Sequence, residues 1–172
     1  RGGKNLKNSA IFIGGSNVPA SDLVGKAVKK AFFGPVSVSV MLDPNGSNTT
    51  AAAIARKVLT DYDVKDKNVV ILGSGPVGQR TALYMLREGA KKVTLTCRSM
   101  ERSKATVKEM KEHYGVEVLP GETRSDEAVK RVLSDANVVI AAGPAGVCVV
   151  PEMALENNTS IEVVADVNAV PP

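Results

Sequence analysis

The feature that most constrains the fold of this chain is the segment NVVILGSGPVGQR at positions 68–80. A run of apolar residues suited to a buried strand is followed at once by G-x-G-x-x-G, and a helical pattern then continues to about Arg87. Gly73 permits the tight bend, Gly75 lets a pyrophosphate approach the backbone, and Gly78 lets the helix pack closely on the strand. The segment therefore predicts a strand, a turn and a helix that together bind a dinucleotide.

The start of this helix is a predicted anion site, because its free amides and the positive end of the helix dipole face the ligand. Pro76 costs nothing there, since the amide that it lacks would have no partner within the helix. A tight turn without any ligand is the alternative, but a second strand and helix follow, which favours dinucleotide binding. The predicted cofactor residues of the turn are Gly73, Ser74, Gly75, Pro76, Val77 and Gly78.

Strand-like and helix-like segments alternate along the whole chain. The strand-like segments are apolar at consecutive positions, which is typical of a parallel sheet covered on both faces. We therefore predict an α/β fold: a Rossmann-type doubly wound parallel sheet at 64–172, preceded by a partial second α/β domain at 1–63. The predicted strands are 9–14, 36–42, 68–72, 92–96, 116–119, 137–142 and 160–164, and the predicted helices are 21–32, 49–59, 76–87, 101–114 and 126–133.

Composition narrows the possible functions. Hydrophobic residues make up 44% of the 172 and charged residues 23%, so the chain is expected to bury a core. A net charge of +4 without a basic block, with 3% aromatic residues, argues against nucleic-acid binding and suits a small anionic ligand. No apolar run approaches the ~20 residues that cross a bilayer, so no membrane partner is expected. The two cysteines lie far apart without metal-ligand spacing, which predicts a cytoplasmic protein without a metal.

The end of the second Rossmann strand indicates which dinucleotide binds. NAD-selective domains place Asp or Glu there, about 20 residues past the first glycines, to bind the ribose 2′-hydroxyl. This chain has Cys97, then Arg98 and Ser99, with Arg102 one helical turn later. Guanidinium groups bind a 2′-phosphate that a carboxylate would repel, and cations at a helix N-terminus are unfavourable unless an anion lies between them. Arg98, Ser99 and Arg102 are therefore predicted to bind NADP; two solvated arginines are the alternative.

Two further turns lie at the carboxyl ends of predicted strands, where ligands of open parallel sheets collect. Ala142, Gly143 and Gly146 leave room for backbone to pass close to the nicotinamide side of a dinucleotide. A simple turn of small residues is an equal alternative there. Asp166 and Asn168 close the last predicted strand and are predicted to bind substrate.

The stretch LDPNGSNTTAAA at 42–53 gathers small polar residues between a predicted strand and an alanine-rich helix. Its first residues suit a turn, and its hydroxyl or amide side chains can cap the helix. A single cap would satisfy the helix, so the cluster exceeds what capping needs. The residues predicted to bind substrate or nicotinamide are Asn45, Ser47, Asn48 and Thr49.

The sequence contains no strong general base, and no catalytic residue is predicted. The one histidine, His113, lies near the end of a charged helix and is interpreted as a surface residue. A hydride transfer from a carbon flanked by nitrogen lone pairs needs orientation more than proton abstraction, because those lone pairs stabilise the developing cation. The missing base therefore suits a dehydrogenase of that kind.

Four segments resemble the NADP-dependent methylene-tetrahydromethanopterin dehydrogenases, including their methylene-tetrahydrofolate-using relatives in one-carbon-metabolising bacteria. They are AVKKAFFGPVSVSVMLDPNGSNTTAAA, VVILGSGPVGQR, LTCRSMERSKA and SIEVVADVNAVPP. The similarity extends over essentially the whole chain, and DPNGSNTTAAA and VADVNAVPP are much more specific than the glycine pattern. The chain opens on RGGK without an initiator Met and stops at NAVPP, so it is expected to be a piece of a longer protein.

The resemblance implies two α/β domains, with NADP on the Rossmann domain and a reduced pterin or folate one-carbon carrier reaching it across a cleft. It implies reversible oxidation of the methylene carrier to the methenyl carrier with NADP. Arg98 matches the family's 2′-phosphate arginine, whereas Ser99 and Arg102 fall where some members have Lys. It also implies a homo-oligomeric full-length protein with further segments that complete the substrate domain, so NADP binding is expected of this piece more readily than turnover.

Two other functions stay open at this point. A shikimate-type NADP dehydrogenase also places an Arg after the second Rossmann strand and a smaller α/β domain in front. It would need a Lys and Asp pair in the substrate domain, and the sequence shows no convincing one. A non-catalytic NADP-binding or sensor domain is the third possibility.

Overall fold

The computed structural model describes residues 3–168 and 170. The chain divides into two compact units, Arg1–Thr49 and Thr50–Pro172. This division falls within a helix, whereas the sequence places the domain boundary after residue 63. The apolar side of that helix, with Ala55 and Val58, belongs to the core of the second unit. The division therefore falls before this part of the helix and not after residue 63. The domain limits 1–63 and 64–172 stay a prediction.

The first unit contains two parallel strands joined by a helix. Its elements are a 3₁₀ helix Gly3–Asn8, β1 Ala10–Ile13, α1 Val18–Lys30, β2 Ser39–Leu42 and a 3₁₀ turn Pro44–Gly46. β1 and β2 pair with Ala10 opposite Ser39 and Ile13 opposite Leu42. Gly25 of α1 lies close to both strands, because an added Cβ would be 3.5 Å from Leu42 Cδ2 and 3.9 Å from Ile13 Cδ1.

Helix α1 begins earlier than the sequence predicts, at Val18 rather than at Ser21. The Asn17 side chain caps it by accepting a hydrogen bond from the Ala20 amide at 3.0 Å, and a proline occupies the first turn. A cap and a proline in this arrangement are a strong helix start. Ser21, the first residue of the helix predicted at 21–32, lies inside the observed helix, and its hydroxyl donates to the Gly14 carbonyl at 2.9 Å.

The apolar stripe predicted for α1 does not face the strands. Leu23 is 67% exposed and Val24 is 50% exposed, while the buried residues of the helix are Ser21 and Gly25. Small residues allow the closer approach of helix and strands, so they occupy the inner face. The predicted stripe was Leu23, Val24, Ala27, Val28, Ala31 and Phe32.

The second unit holds a parallel sheet. The helix α2 Ser47–Asp61 leads into it, and its further elements are β3 Asn68–Leu72, α3 Pro76–Arg87, β4 Lys92–Cys97, α4 Met100–Tyr114, β5 Leu119–Glu122, α5 Asp126–Leu133, β6 Val138–Ala141, α6 Glu152–Leu155 and β7 Val163–Asp166. The five strands follow the order β5-β4-β3-β6-β7, and all neighbours are parallel. The order reverses between β3 and β6, which creates a crevice at their carboxyl ends. This topology confirms the predicted doubly wound α/β fold.

Side chains of β3 alternate between two hydrophobic cores. Val69 and Ile71 pack with apolar residues of α2, α3 and α4, whereas Val70 and Leu72 pack with those of α5 and α6. All four are at most 2% exposed. Burying one such side chain contributes about 1.5–3 kcal/mol, so a central strand covered on both faces anchors the glycine turn that follows it.

Polar side chains join the amino ends of the strands. Asn137 Oδ1 accepts from the Asn68 amide at 2.9 Å, and Asn68 Nδ2 donates to the Asp135 carbonyl at 2.9 Å. Lys67 Nζ lies 2.9 Å from Glu162 Oε1. Side-chain hydrogen bonds and an ion pair therefore join the strands at the end of the sheet opposite the crevice.

The edge strand β5 differs from its predicted position at 116–119. It occupies Leu119–Glu122 and pairs with β4 so that Glu122 lies opposite Cys97. Pro120 is tolerated because an edge strand needs fewer backbone donors. Gly121 fits because an added Cβ would lie only 2.9 Å from Thr96 Cγ2.

Smaller differences have local causes. β2 begins at Ser39 rather than 36, because Val36 closes a turn by donating its amide to the Phe33 carbonyl at 3.0 Å. β7 begins at Val163 rather than 160, because the Ser160 amide bonds to Asn158 Oδ1 at 3.2 Å in a turn. The short helix α6 was not predicted. Within residues 3–168 and 170, no helix has the length and apolarity to span a membrane.

Candidate functional site

The turn between β3 and α3 depends on two close backbone contacts. Gly73 has φ +128°, and a Cβ there would lie 2.4 Å from the Ala142 carbonyl oxygen. A Cβ on Gly78 would lie 2.0 Å from the Gly73 carbonyl oxygen. Both distances are far inside van der Waals contact, so the turn fits only without these side chains. These contacts bring the end of β3 against the turn that follows β6.

Gly75, in contrast, faces open space. It is exposed, and an added Cβ would meet no atom within 4 Å. It precedes α3 at the N-cap position without a side-chain cap, and Pro76 is in the first turn. The amides at this helix start are therefore left for a ligand, as an anion site requires. Close packing at two glycines and openness at the third fit a bound pyrophosphate.

Two side chains that were not predicted support this turn. Gln79 Nε2 donates to the Ser74 carbonyl at 3.0 Å. Arg80 is only 8% exposed, and its Nη1 donates to the Pro76 carbonyl at 3.2 Å. Arginine is almost never fully buried unless it is paired. A charged residue on the core-facing side of the predicted helix was therefore the sequence signal that could have identified Arg80. Arg80 places a guanidinium beside the first turn of α3.

The carboxyl end of β4 carries the residues predicted to select NADP. Ser99 caps α4 by accepting from the Arg102 amide at 3.4 Å. Arg98 and Arg102 are both exposed, and neither forms an ion pair with any residue that the structure describes. Positions 97–99 carry no carboxylate: Cys97 there is half-buried, and Glu122 lies opposite it on the neighbouring strand β5.

The Cys97 thiol reports the local electrostatics of this strand end. Burial acts to raise its pKa, but hydrogen bonds from the Ser99 backbone and the Ser74 side chain, with the charge of Arg102, outweigh it and lower the pKa. Hydrogen-bond donors and a cation that stabilise a thiolate would stabilise a phosphate as well. The strand end is therefore an environment that favours an anion.

The turns after β6 and β7 are linked to each other. Asn168 Nδ2 donates to the Gly143 carbonyl at 3.2 Å, and the Asn168 amide donates to Asp166 Oδ1 at 2.6 Å. Gly143 and Ala142 are half-buried, while Gly146 is exposed with φ +73°. Because parallel strands end at the same edge, these turns share the sheet edge with the glycine turn and the β4 end. All residues predicted to bind cofactor thus collect at one edge of the second unit.

The polar stretch of the first unit is held by a capping network around Asp43. This carboxylate is 8% exposed and accepts from the Asn48 amide at 2.8 Å, the Thr49 amide at 3.2 Å and the Thr49 hydroxyl at 2.7 Å. The fully buried Ser47 hydroxyl donates to the Pro44 carbonyl at 2.7 Å. Asp43 is therefore the helix cap, a role that the sequence had assigned to the residues after it.

Asn45 has a different environment. It is exposed and left-handed, with φ 54°, and its amide donates to the Gly15 carbonyl at 2.8 Å. The Asn48 side chain donates to the Leu42 carbonyl. Capping thus accounts for much of the polar cluster, whereas the exposed side chain of Asn45 is not needed for it. Substrate contact by Asn45, Ser47, Asn48 and Thr49 stays a prediction.

The remaining titratable residues show no catalytic arrangement. His113 is exposed near the end of α4, and its Nδ1 lies 2.9 Å from the Glu109 carbonyl oxygen. No group of three or more His, Cys, Asp or Glu side chains able to hold a metal occurs in the part of the chain that the structure describes.

Two family models match consecutive parts of the chain. Residues 1–45 match "Methylene-tetrahydromethanopterin dehydrogenase, N-terminal", and residues 53–171 match "Shikimate / quinate 5-dehydrogenase". The second match covers the nucleotide-binding crevice. Residues 46–52 lie between the two matches, and the chain divides into its two units within this interval.

Curated relatives cover the chain from end to end. The "Bifunctional protein MdtA" of Methylorubrum extorquens is 43% identical over 100% of this chain and 60% of its own length. The "NAD(P)-dependent methylenetetrahydromethanopterin dehydrogenase" of the same organism is 38% identical over 95% of this chain and 58% of its own. The chain therefore spans about three fifths of these relatives.

A solved structure agrees with the fold. Shikimate 5-dehydrogenase from Listeria monocytogenes, in complex with shikimate and NAD, superposes with a TM-score of 0.52 at 16% identity, covering 90% of this chain and 53% of the other. At that identity the likeness concerns the fold alone. The match at residues 1–45 and the two curated relatives identify the chain as a member of the methylene-tetrahydromethanopterin dehydrogenase family, with a shikimate/quinate dehydrogenase-type domain at 53–171.

Proposed function

We propose that the full-length protein is an oxidoreductase that transfers a hydride between the methylene carbon of methylene-tetrahydromethanopterin, or of methylene-tetrahydrofolate, and NADP. The methylene carrier loses a hydride and becomes the cationic methenyl carrier, while NADP gains that hydride and becomes NADPH. The observation that carries the proposal is the glycine turn at the sheet switch point, open only at Gly75, in a chain of this family. The named activity of the relative that is 38% identical supports it.

In this proposal, the carboxyl edge of the second unit holds the dinucleotide. The amides at the start of α3 bind the pyrophosphate beside Gly75, and Arg98 binds the 2′-phosphate from the end of β4. Ser99 and Arg102 add a hydroxyl and a second cation. The nicotinamide supplies the hydride acceptor when it is bound. The turn at Ala142, Gly143 and Gly146 borders the space next to the switch point.

NADP is favoured over NAD by two features of the β4 end. Positions 97–99 at the end of β4 carry no carboxylate to bind a ribose 2′-hydroxyl, although Glu122 lies opposite Cys97 on β5. The exposed Arg98 and Arg102 form no ion pair within the described residues. The surroundings that lower the pKa of Cys97 favour negative charge at the same place. A 2′-phosphate would relieve the repulsion between two cations at a helix start.

The residues of the chain orient reactants rather than move protons. The methylene carbon lies between two nitrogens whose lone pairs stabilise the cation that forms, so no general base has to remove a proton. This agrees with a crevice that offers glycines, hydroxyls and amides instead of a histidine or a buried acid. Contact with the carrier is assigned to the first unit through Asn45, Asn48 and Thr49, and to the β7 end through Asp166.

The test is a spectrophotometric assay of the full-length protein that follows the formation of reduced nucleotide. Four combinations are compared: each of the two methylene carriers with NADP and with NAD. We expect NADPH to form with at least one carrier and NAD to support a lower kcat/KM. No reduced nucleotide with either carrier, from protein that is folded and binds NADP, would overturn the enzymatic proposal.

A shikimate-type dehydrogenase is the second candidate, because residues 53–171 match that family model. The match covers the nucleotide-binding part, whereas residues 1–45 match the methylene-tetrahydromethanopterin dehydrogenase model. The second candidate is therefore less favoured. Shikimate and quinate in the same assay separate the two, and tight NADP binding without any hydride transfer would favour a non-catalytic binding domain.

A further inference from the structure

The turn after β6 is held in place from three directions. On one side, the would-be Cβ of Gly73 lies 2.4 Å from the Ala142 oxygen and 3.3 Å from the Gly143 amide nitrogen. On another, a Cβ on Gly143 would lie 2.6 Å from Val149 Cγ1. From the third direction, the side-chain Nδ2 of Asn168 donates a hydrogen bond to the Gly143 carbonyl at 3.2 Å. The Gly143 peptide is thus fixed by packing on two sides and by one hydrogen bond.

Asn168 is itself oriented by the end of β7. The backbone amide of Asn168 donates to Asp166 Oδ1 at 2.6 Å, and the backbone amide of the preceding Val167 donates to the Ala141 carbonyl at 3.0 Å. An aspartate that bonds to the amide two residues later forms a tight local turn. The side chain of Asn168 is half-buried, and its donor reaches over the β6 end to Gly143. Asp166, Asn168 and Gly143 thus form a chain of bonds from β7 to the switch point.

We infer that Asn168 is a positioning residue that fixes the Gly143 peptide beside the glycine turn and thereby sets the orientation of the nicotinamide. The inference rests on the proposed function, since it assumes a nicotinamide dinucleotide in the crevice. It replaces the direct substrate contact predicted for Asn168 with an indirect role. One of the two N–H donors of its side-chain amide is used for Gly143, and this bond fixes the orientation of the amide.

This role predicts a separation between rate and affinity. In the proposed function the phosphates are bound by Gly75 and Arg98 and not by the Gly143 peptide, so losing the Asn168 bond should leave most of the dinucleotide affinity intact. A misplacement of about 1 Å at the reacting end can cost on the order of 100-fold in rate. Asn168→Ala in the full-length protein should lower kcat by about 10-fold to 100-fold and change the Kd for NADP by less than about 2-fold.

Three variants make the test specific. Asn168→Asp replaces the donor with a carboxylate that repels the Gly143 carbonyl, so kcat should fall at least as far as in Asn168→Ala. Asn168→His places ring Nδ1 the same number of bonds from Cα as the lost amide nitrogen, so it should recover part of kcat. Asn158→Ala is the matched control, because its side chain makes a similar bond to the Leu133 carbonyl at 2.8 Å outside the crevice. It should lower the Tm and leave kcat unchanged.

A readout independent of turnover is the fluorescence lifetime of bound NADPH. A held nicotinamide should give a longer lifetime in the wild-type protein than in Asn168→Ala at equal occupancy. Unchanged kcat and lifetime in Asn168→Ala, or a raised KM for the carrier with unchanged kcat, would overturn the inference. A wild-type protein that binds NADPH but transfers no hydride would overturn the enzymatic proposal. The inference about Asn168 would then be decided by the fluorescence lifetime of bound NADPH in the wild type and in Asn168→Ala. A wild-type protein that does not bind NADPH would overturn both.

Discussion

Polar side chains have different surroundings at the amino ends and at the carboxyl ends of the strands in the five-stranded sheet. At the amino ends of the strands, charged side chains bind one another, as Lys67 and Glu162 do at 2.9 Å. At the carboxyl ends, Arg98 and Arg102 are exposed and form no ion pair within residues 3–168 and 170. The comparison indicates that the polar groups at the amino ends are paired within the protein, whereas the two arginines that we propose bind NADP are left available.

The kind of contact also differs between the amino ends and the carboxyl ends of the strands. The amino ends are joined through long side chains, which tolerate substitution because they can adjust. The carboxyl ends of β3 and β6 touch through backbone atoms at Gly73 and Ala142, where no adjustment is possible. We therefore expect substitutions at the carboxyl edge to affect ligand binding first, and substitutions at the amino edge to affect stability alone.

The largest effect is expected for Gly78→Ala. Its Cβ would lie 2.0 Å from the Gly73 carbonyl oxygen, so the turn has to shift. Overpacking of this kind lowers the free energy of unfolding by about 1–3 kcal/mol or more, and NADP binding should be lost with the turn. Thermal unfolding and an NADP titration measure both effects.

Gly75→Ala is the matched control for that experiment. The new methyl group would meet no protein atom within 4 Å, and φ is −70°, so the Tm should stay as in the wild type. The methyl group would occupy the space proposed for the pyrophosphate, and NADP affinity should fall. Wild-type affinity in Gly75→Ala would remove the pyrophosphate from this position.

Next in size is the effect of Arg98→Ala on cofactor choice. A hydrogen bond to a charged group contributes about 1.5–3 kcal/mol, so the Kd for NADP should rise by about 10-fold to 100-fold. The Kd for NAD should stay within about 2-fold, because NAD has no 2′-phosphate. Arg87→Ala, at the exposed end of α3, is the matched control for the loss of one positive charge. Equal losses for NADP and NAD would contradict the assignment of Arg98.

A smaller effect, confined to stability, is expected at the amino edge for Asn137→Ala. This change removes the acceptor of the Asn68 amide and leaves that part-buried donor unsatisfied. Such a loss costs about 1–3 kcal/mol in the free energy of unfolding. Asn137→Asp keeps the acceptor oxygen and should recover part of the loss. Urea unfolding measures the change; a weaker NADP affinity in folded Asn137→Ala would break the contrast between the two edges.

The smallest effect is a pH dependence from the pair Lys67 and Glu162. The hydrogen bond from Lys67 lowers the pKa of Glu162, and the bond to Glu162 raises the pKa of Lys67. The lowered carboxyl pKa adds stability above the unfolded value of about 4.3 and loses it as pH falls through the folded value. The raised lysine pKa adds stability below about 10.4 and loses it at higher pH.

The measurement is the Tm of the wild type and of Glu162→Gln between about pH 3 and pH 7. The difference in Tm should be small, because the pair is partly exposed, and it should vanish at the acid end. A difference that persists at about pH 3 would assign the contribution to packing rather than to charge.

Sequence reasoning succeeded where local pattern and tertiary contact agree. β3, α3 and α5 have the predicted bounds, because buried strands, a glycine turn and a serine cap each leave a local signal. It failed at β5, where Pro120 and Gly121 suggest a break although pairing with β4 forms the strand. Nothing local reveals that pairing, because the contacts come from residues distant in the sequence.

The candidate site divides in the same manner. The spacing of the glycines was sufficient to predict the turn between β3 and α3, and the arginines after β4 were visible as an unusual strand end. Asp43 was missed as the cap of α2, because it lies outside the helix and reaches forward to Asn48 and Thr49. The bond from Asn168 to Gly143 joins residues 25 apart on different strands, so only the folded chain reveals it.

The bond between Asn137 and Asn68 has a consequence for how the chain folds. β3 and β6 are neighbours in the sheet although the bonded residues are 69 positions apart, so β3 has to pair with a strand that is distant in the sequence. A slip of one residue would turn every side chain of β6 toward the wrong core. Because the Asn137 side chain meets the Asn68 amide in only one alignment, it distinguishes the native register from its slipped alternatives.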